Sequence, residues 1–271
     1  MAKKPIPLSI ITFITIAVLP LSLFVIGLTD ASRGTHKGFE SGDFRGWSKE
    51  FSQSYSGQVV TSPVRAGKYA ARFEIRGGDR AGLLGGYRAE IHEFPRHIAP
   101  LGSEKWYGFS IYVPRGWPEL NNRTVIGQWH ATPDLLRGEV WRSPPLAIRY
   151  REGRLRVTAR YSKERVQKEN DGTRLELYSH PGEFAKGRWH DWVFHVKWAP
   201  NEDGFVEAWL DDRRIIDYRG PIGYNDLLGL WFKFGIYRDD HPTTQVLYFD
   251  DYRRGKSYDE VKPGDGGRTG G

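Results

Sequence analysis

The chain has 271 residues and a formal net charge of +7, with ten Trp, 32 Gly, 16 Pro, one Met and no Cys. That length suits one large β domain, and the absence of Cys excludes a disulfide framework and any thiolate metal site. Abundant aromatics, Gly and Pro describe many short strands joined by turns rather than a helical bundle.

The first lysines begin an uncharged run. Lys3 and Lys4 precede residues 5–28, rich in Ile, Leu, Phe and Val, which read as an export segment with its lysines held in the cytoplasm. The run is long enough to span a bilayer, and Thr29-Asp30-Ala31 is a fair cleavage site. Residues 1–33 therefore fit either a cleaved signal peptide or a membrane anchor through residues 5–28. Both fates export the remainder, to the periplasm, the extracellular space or the outer side of the cytoplasmic membrane. Lys3, Lys4 and Arg33 against Asp30 account for +2 of the charge, so +5 remains for the rest. A moderately basic domain suits a polyanion. Nucleic acid has only that charge in its favour, because no recognisable binding motif accompanies it.

Residues 34–260 read as one domain. A turn-rich opening, GFESGDFRGW (38–47), leads into candidate strands at 58–62, 69–75, 87–93, 106–113, 124–130, 146–150 and 154–161. Further candidates follow at 174–178, 191–198, 204–210, 213–218, 230–238 and 245–252, with Gly, Pro, Asn and Asp clusters between most of them. Residues 223–228 read as a single turn, and 261–271 as a disordered Gly-rich tail. Regular strands and turns without helical periodicity predict an all-β sandwich of two antiparallel sheets in jelly-roll form, with a concave groove. A monomer is expected.

Three strands carry unusual polar sets at period two. Residues 87–93 place Arg88, Glu90 and His92 on one face, with Ala89 and Ile91 opposite. Residues 124–130 place Gln128 and His130 on one face and Trp129 opposite. Residues 230–238 give Phe232, Phe234 and Ile236 to a core, and Trp231, Lys233, Gly235 and Tyr237 to the other side. Each set alone has an ordinary reading as an ion pair or a solvated face. Three in one sandwich point to a site, with Gly235 as a bare spot where a sugar ring approaches closely.

These segments carry a resemblance. GYRAEI (86–91), GQWH (127–130) and WFKFGIYR (231–238) resemble, in order, the signature segments of jelly-roll polysaccharide lyases. That group contains alginate lyases, glucuronan lyases and heparin-lyase-I-like enzymes. YGFSIYVP (107–114) and WHDWVFHVKW (189–198) resemble its scaffold strands, and the likeness spans roughly residues 38–255. Two departures, His92 where alginate enzymes are basic and Trp129 where they carry a small aliphatic residue, leave glucuronan-type or heparin-type polymers more open than alginate.

The resemblance implies β-elimination on a uronic-acid-containing acidic polysaccharide, giving a 4,5-unsaturated uronate end. A base must remove the weakly acidic C5 proton while the site neutralises the adjacent carboxylate, a task for donors aimed at developing charge. Gln128, Arg88 and His130 are the candidates, with Lys233 as electrostatic support. Tyr237 is expected to protonate the leaving oxygen. It can also take the C5 proton when that proton and the C4 oxygen share a side; His130 is the base when they do not. His92, Glu90, Trp231, Trp209 and Arg238 are the expected substrate contacts, Glu90 by orienting Arg88. No redox or nucleotide cofactor is required, and Asp250-Asp251 leave room for a structural cation such as calcium.

Two other functions compete. A glycoside hydrolase needs a pair of carboxylates flanking the scissile bond, and in Glu90-Ile91-His92-Glu93 the partner position at period two is His92. A lectin-like binding module would use the groove and aromatics without needing Gln, His, Lys and Tyr together.

Overall fold

The structure, a computed structural model, describes residues 35–81, 86–168 and 172–264. The export segment read at 1–33 and the last residues of the tail, 265–271, lie outside the described residues. Among the described residues no helix is long and apolar enough to cross a membrane.

In chain order the strands are β1 (Thr35–Lys37), β2 (Ser48–Glu50), β3 (Gly57–Val60), β4 (Ala70–Ile75), β5 (Arg80–Ala81) and β6 (Gly86–His92). Then come β7 (Glu104–Tyr112), β8 (Thr124–Ala131), β9 (Leu146–Arg151), β10 (Arg154–Ser162), β11 (Thr173–Ser179) and β12 (Trp189–Lys197). The series closes with β13 (Phe205–Leu210), β14 (Arg213–Arg219), β15 (Gly223–Tyr224), β16 (Leu230–Arg238) and β17 (Gln245–Gly255). A short 3-10 turn covers Leu135–Arg137, and one helix, α1 (Tyr258–Val261), ends the domain.

The strands form two sheets. One runs β14-β13-β12-β7-β17-β4-β3 with β1 on β17; the other runs β11-β10-β9-β8-β16-β6-β2 with β15 and β5 at its margins. The jelly-roll expectation holds, and the alternation explains why. Phe232, Phe234 and Ile236 of β16, Ala89 and Ile91 of β6, and Trp129 of β8 are all 0–1% exposed. They meet the inward residues of the first sheet: Phe234 lies 4.5 Å from Phe249, Trp129 4.7 Å from Phe194, and Phe232 5.2 Å from Tyr252. Offset and edge contacts between aromatic rings of this kind add to the area that they bury. Trp192 and Trp198 join the same core.

Three details depart from the sequence reading. Ser48–Glu50, just beyond the turn-rich opening, is a strand that pairs with β6 through Ser48↔His92 and Glu50↔Glu90. The stretch read as a turn at 223–228 begins with a strand, β15, running parallel to β10. The packed domain also continues past residue 260. Val261 is fully buried, Lys262 pairs with Asp212 at 3.0 Å, and the Gly264 amide donates to Asp251 at 2.8 Å.

Candidate active site

The polar faces of β6, β8 and β16 fall side by side because β16 pairs with both neighbours. Lys233 is opposite His92 on one side and Gln128 on the other, while Tyr237 is opposite Arg88 and Val125. Together they form one end of a cleft of about 700 Å³ on the concave face. Seven expected site residues line it: Arg88, His92, Gln128, His130, Trp231, Lys233 and Tyr237.

The floor is a charge network. Lys233, 1% exposed, holds the Glu50 carboxylate at 2.9 Å and the Glu90 carboxylate at 3.1 Å. Glu50 also accepts from Arg88 at 2.6 Å, and Glu90 accepts from the Gln128 amide at 2.6 Å. Burial alone would raise the Glu50 pKa, but Lys233 and Arg88 reverse this and pull it down to about 2. A second carboxylate, Glu50, therefore meets Glu90 at Lys233, and of the two it is Glu50 that lines the cleft. Both lie against one ammonium, and Glu50 stays ionised through the neutral range, which leaves it no proton to give as a general acid.

His130 is held differently. Its Nδ1 is 2.8 Å from the Ala131 carbonyl oxygen. A carbonyl only accepts, so Nδ1 carries the proton and Nε2 keeps its lone pair toward the cleft. Burial, then the charge of Lys233, lowers the pKa to about 4, so the ring is neutral at physiological pH. Its ring stacks on Trp231 at 5.2 Å, and Trp231 is anchored by its indole N–H to Thr132 at 3.2 Å. His92 is lowered to about 4 for the same two reasons.

Tyr237 sits between two guanidiniums. Arg88 lies 4.5 Å from its ring centroid and Arg123 4.8 Å, and Arg123 donates to the phenolic oxygen at 3.2 Å. An oxygen that accepts from Arg123 keeps its own O–H to donate elsewhere.

Several expectations need correction. Glu90, 1% exposed, lies behind the floor with its oxygens on Gln128 and Lys233, so it positions those two rather than touching a sugar. Its distance to Arg88 is 3.9 Å, and Glu50 is the residue that orients Arg88. Arg238 faces away from the cleft; its buried guanidinium donates to the carbonyls of Thr243 and His241 and to Gln245, fastening the loop after β16. Trp209 belongs to the other sheet, stacked on Trp106 at 5.7 Å. Gly235 serves the fold: a Cβ there would lie 2.1 Å from the Ala89 carbonyl oxygen, and its φ is +132°. Asp250 and Asp251 are occupied by protein donors, the backbone amides of Arg65, Ala66 and Gly264 and the Arg253 side chain. Among the described residues no group of three or more His, Asp or Glu side chains is placed to hold a metal ion.

Sequence reading missed Glu50, Arg123 and Trp141. Glu50 sits in a three-residue strand, too short to show alternation. Arg123 precedes β8 and enters the site through Asp239, at 2.7 Å, and Tyr237. Trp141, 42% exposed, faces His130 at 5.8 Å from a loop whose base is tied by Arg142 to Asp226 at 2.7 Å.

Comparison with known proteins agrees with the fold. Residues 39–253 match the family model described as "Polysaccharide lyase". No curated protein matches the sequence. Among solved structures, an endo-β-1,4-glucuronan lyase from the fungus Trichoderma reesei superposes with a TM-score of 0.72 at 19% identity, covering 87% of this chain and 100% of that one. The marine PL-14 alginate lyase from Aplysia kurodai gives 0.56 at 10% identity, covering 83% and 99%. An alginate lyase from a Chlorella virus gives 0.50 at 13%, covering 81% and 96%. At these identities the likeness is one of fold.

Proposed function

The chain belongs to the polysaccharide lyase family, and we propose that it cleaves a uronate-containing acidic polysaccharide by β-elimination. The carrying observation is the pairing, within one cleft, of a neutral His130 with its Nε2 unprotonated and a Tyr237 hydroxyl flanked by Arg88 and Arg123. A lone pair on His130 and a hydroxyl on Tyr237 thus face one cleft.

In this reading the uronate carboxylate lies against Arg88 and the second N–H of the Gln128 amide, whose first is fixed by Glu90. Donors in that position stabilise the negative charge that grows on the carboxylate as C5 loses its proton. The C5–H electrons become the C4–C5 double bond, the C4–O bond breaks, and the leaving oxygen takes the Tyr237 proton. Where the C5 proton and the C4 oxygen lie on one side, Tyr237 serves both transfers in its phenolate form, its own proton first released to solvent: the phenolate takes the C5 proton and returns it to the leaving oxygen. Where they lie on opposite sides, His130 Nε2 takes the C5 proton. Trp231, held between His130 and His92, offers an apolar wall to the sugar ring.

The test is the ultraviolet absorbance of the conjugated uronate product across glucuronan, alginates and heparin-type glycans. A rise on at least one uronate polymer is expected; cleavage that yields only saturated ends would overturn the elimination. The uncharged run at 5–28 supports export of the enzyme. Fractionation of cells expressing the full chain checks this, and purely cytosolic protein would count against it.

A further inference from the structure

Eight arginines line the cleft, and they divide into two groups. Five have carboxylate partners: Arg88 with Glu50, Arg123 with Asp239, Arg142 with Asp226, Arg151 with Glu152 and Arg156 with Glu176. Three do not. Among the described residues no carboxylate pairs with Arg149, Arg160 or Arg174. Arg149 has only the Thr158 hydroxyl at 2.8 Å, and Arg160 only the Gly172 carbonyl at 3.1 Å.

Each of these three faces another arginine across the sheet. Arg160 and Arg174 are directly opposite on β10 and β11, and Arg149 is directly opposite Arg156 on β9 and β10. Like charges facing each other across a sheet are destabilising. Their mutual repulsion is visible at Arg149. Burial first, then the charges of Arg174, Arg123 and Arg160, depress its guanidinium to about 10. The catalytic end of the same cleft is electrically balanced by Glu50 and Glu90, whereas among the described residues this end keeps three guanidiniums without a carboxylate.

We propose that Arg149, Arg160 and Arg174 form a distal subsite for an oxyanion substituent carried by a sugar several residues from the scissile bond. β9, β10 and β11 lie two, three and four strands from β16, about 10, 14 and 19 Å at ordinary strand spacing, so Arg149 stands on the near side of the group and Arg160 and Arg174 on the far side. A sugar ring seated at Tyr237 does not extend to the β10–β11 pair, so the group recognised by Arg160 and Arg174 belongs to a different residue from the one cleaved. Its chemistry is that of a planar or tetrahedral oxyanion, a second uronate carboxylate or an ester sulfate, either of which guanidinium forks bind well. The subsite selects polymers with repeated acidic residues over those with isolated ones. This inference rests on the uronate lyase reading.

The experiment compares the parent enzyme with R160Q/R174Q and with R160K/R174K, on glucuronan and on a sulfated heparin-type glycan, over a salt series. For the glutamine variant the expected result is a KM raised about tenfold or more, from lost charged hydrogen bonds. Its kcat should stay within about twofold of the parent, its salt dependence should flatten, and its melting temperature should be unchanged or higher. The lysine variant should keep most of the salt dependence. A loss seen on glucuronan assigns the subsite to a carboxylate; a loss confined to the sulfated glycan assigns it to sulfate. Unaltered KM and salt dependence in an active, folded R160Q/R174Q enzyme would overturn the subsite while leaving the lyase reading intact. A parent enzyme that generates no unsaturated product from any uronate polymer would instead sink the lyase reading and this one with it.

Discussion

The Glu50 carboxylate and the Lys233 ammonium meet at 2.9 Å in the floor of the cleft, although 183 residues separate them in the chain. Through this contact a three-residue edge strand fixes the strand that carries Lys233 and Tyr237: Glu50 also holds Arg88 and lies 3.5 Å from His92. Glu50→Gln should therefore loosen Arg88 and leave Lys233 with one carboxylate. Breaking a buried ion pair costs about 3–5 kcal/mol when fully desolvated; the solvent left at Glu50 reduces the expected loss to about 2 kcal/mol. Chemical denaturation measures the stability, and steady-state kinetics should show a lower kcat/KM. A variant equal to the parent in both would remove Glu50 from this role.

Tyr237→Phe deletes only the hydroxyl that faces Arg123. Loss of a proton-transfer group lowers kcat by about 10²–10⁴-fold. Arg88 and Arg123 can still flank the ring, so polymer binding and melting temperature should change little. Product formation at the parental rate would show that the leaving oxygen is protonated from elsewhere.

Acid sensitivity follows from the two histidines. His92 and His130 are held at about 4, below the ordinary value of 6.5. As pH falls through 6.5, the unfolded chain takes up these protons before the folded one does. The stability they contribute is thus complete above about 6.5 and declines toward about 4. Glu50, lowered from 4.5 to about 2, extends the decline below that range. Melting temperature should fall across this window. If His130 is the base, the acid limb of kcat/KM should lie near 4, and a limb near 6.5 would contradict the buried, neutral ring.

Gly235→Ala separates two readings of one glycine. A methyl group 2.1 Å from the Ala89 carbonyl oxygen, on a backbone with φ of +132°, should cost about 2–4 kcal/mol of stability. Urea unfolding tests this directly. A stable variant with weakened polymer binding would restore the view that the bare backbone serves the sugar.

Much of the site was legible because strand geometry is local. On β6, β8 and β16 every second residue shares a face, so Arg88 with His92, Gln128 with His130, and Lys233 with Tyr237 could be grouped from spacing alone. The same rule assigned Phe232, Phe234 and Trp129 to the core. Applied to Arg238 it places that residue on the face of Phe232, Phe234 and Ile236, away from the cleft, as the structure shows; what it could not show is its partners, the carbonyls of Thr243 and His241 in the following loop. It failed at Trp209 because period says which face a residue takes, not which sheet the strand joins.

The sequence by itself determined the strand alternation, the jelly-roll class and the polar sets on three strands, since each depends on neighbours within a few residues. Only the tertiary structure decided which charges meet. Glu50 reaches Lys233, Arg123 reaches Tyr237, and three arginines on β9, β10 and β11 gather with no carboxylate partner among the described residues, because strands distant in sequence become neighbours in the sheet. Electrostatic balance depends on distances of a few ångströms through the folded interior. Those distances exist only once the sheet has closed its order.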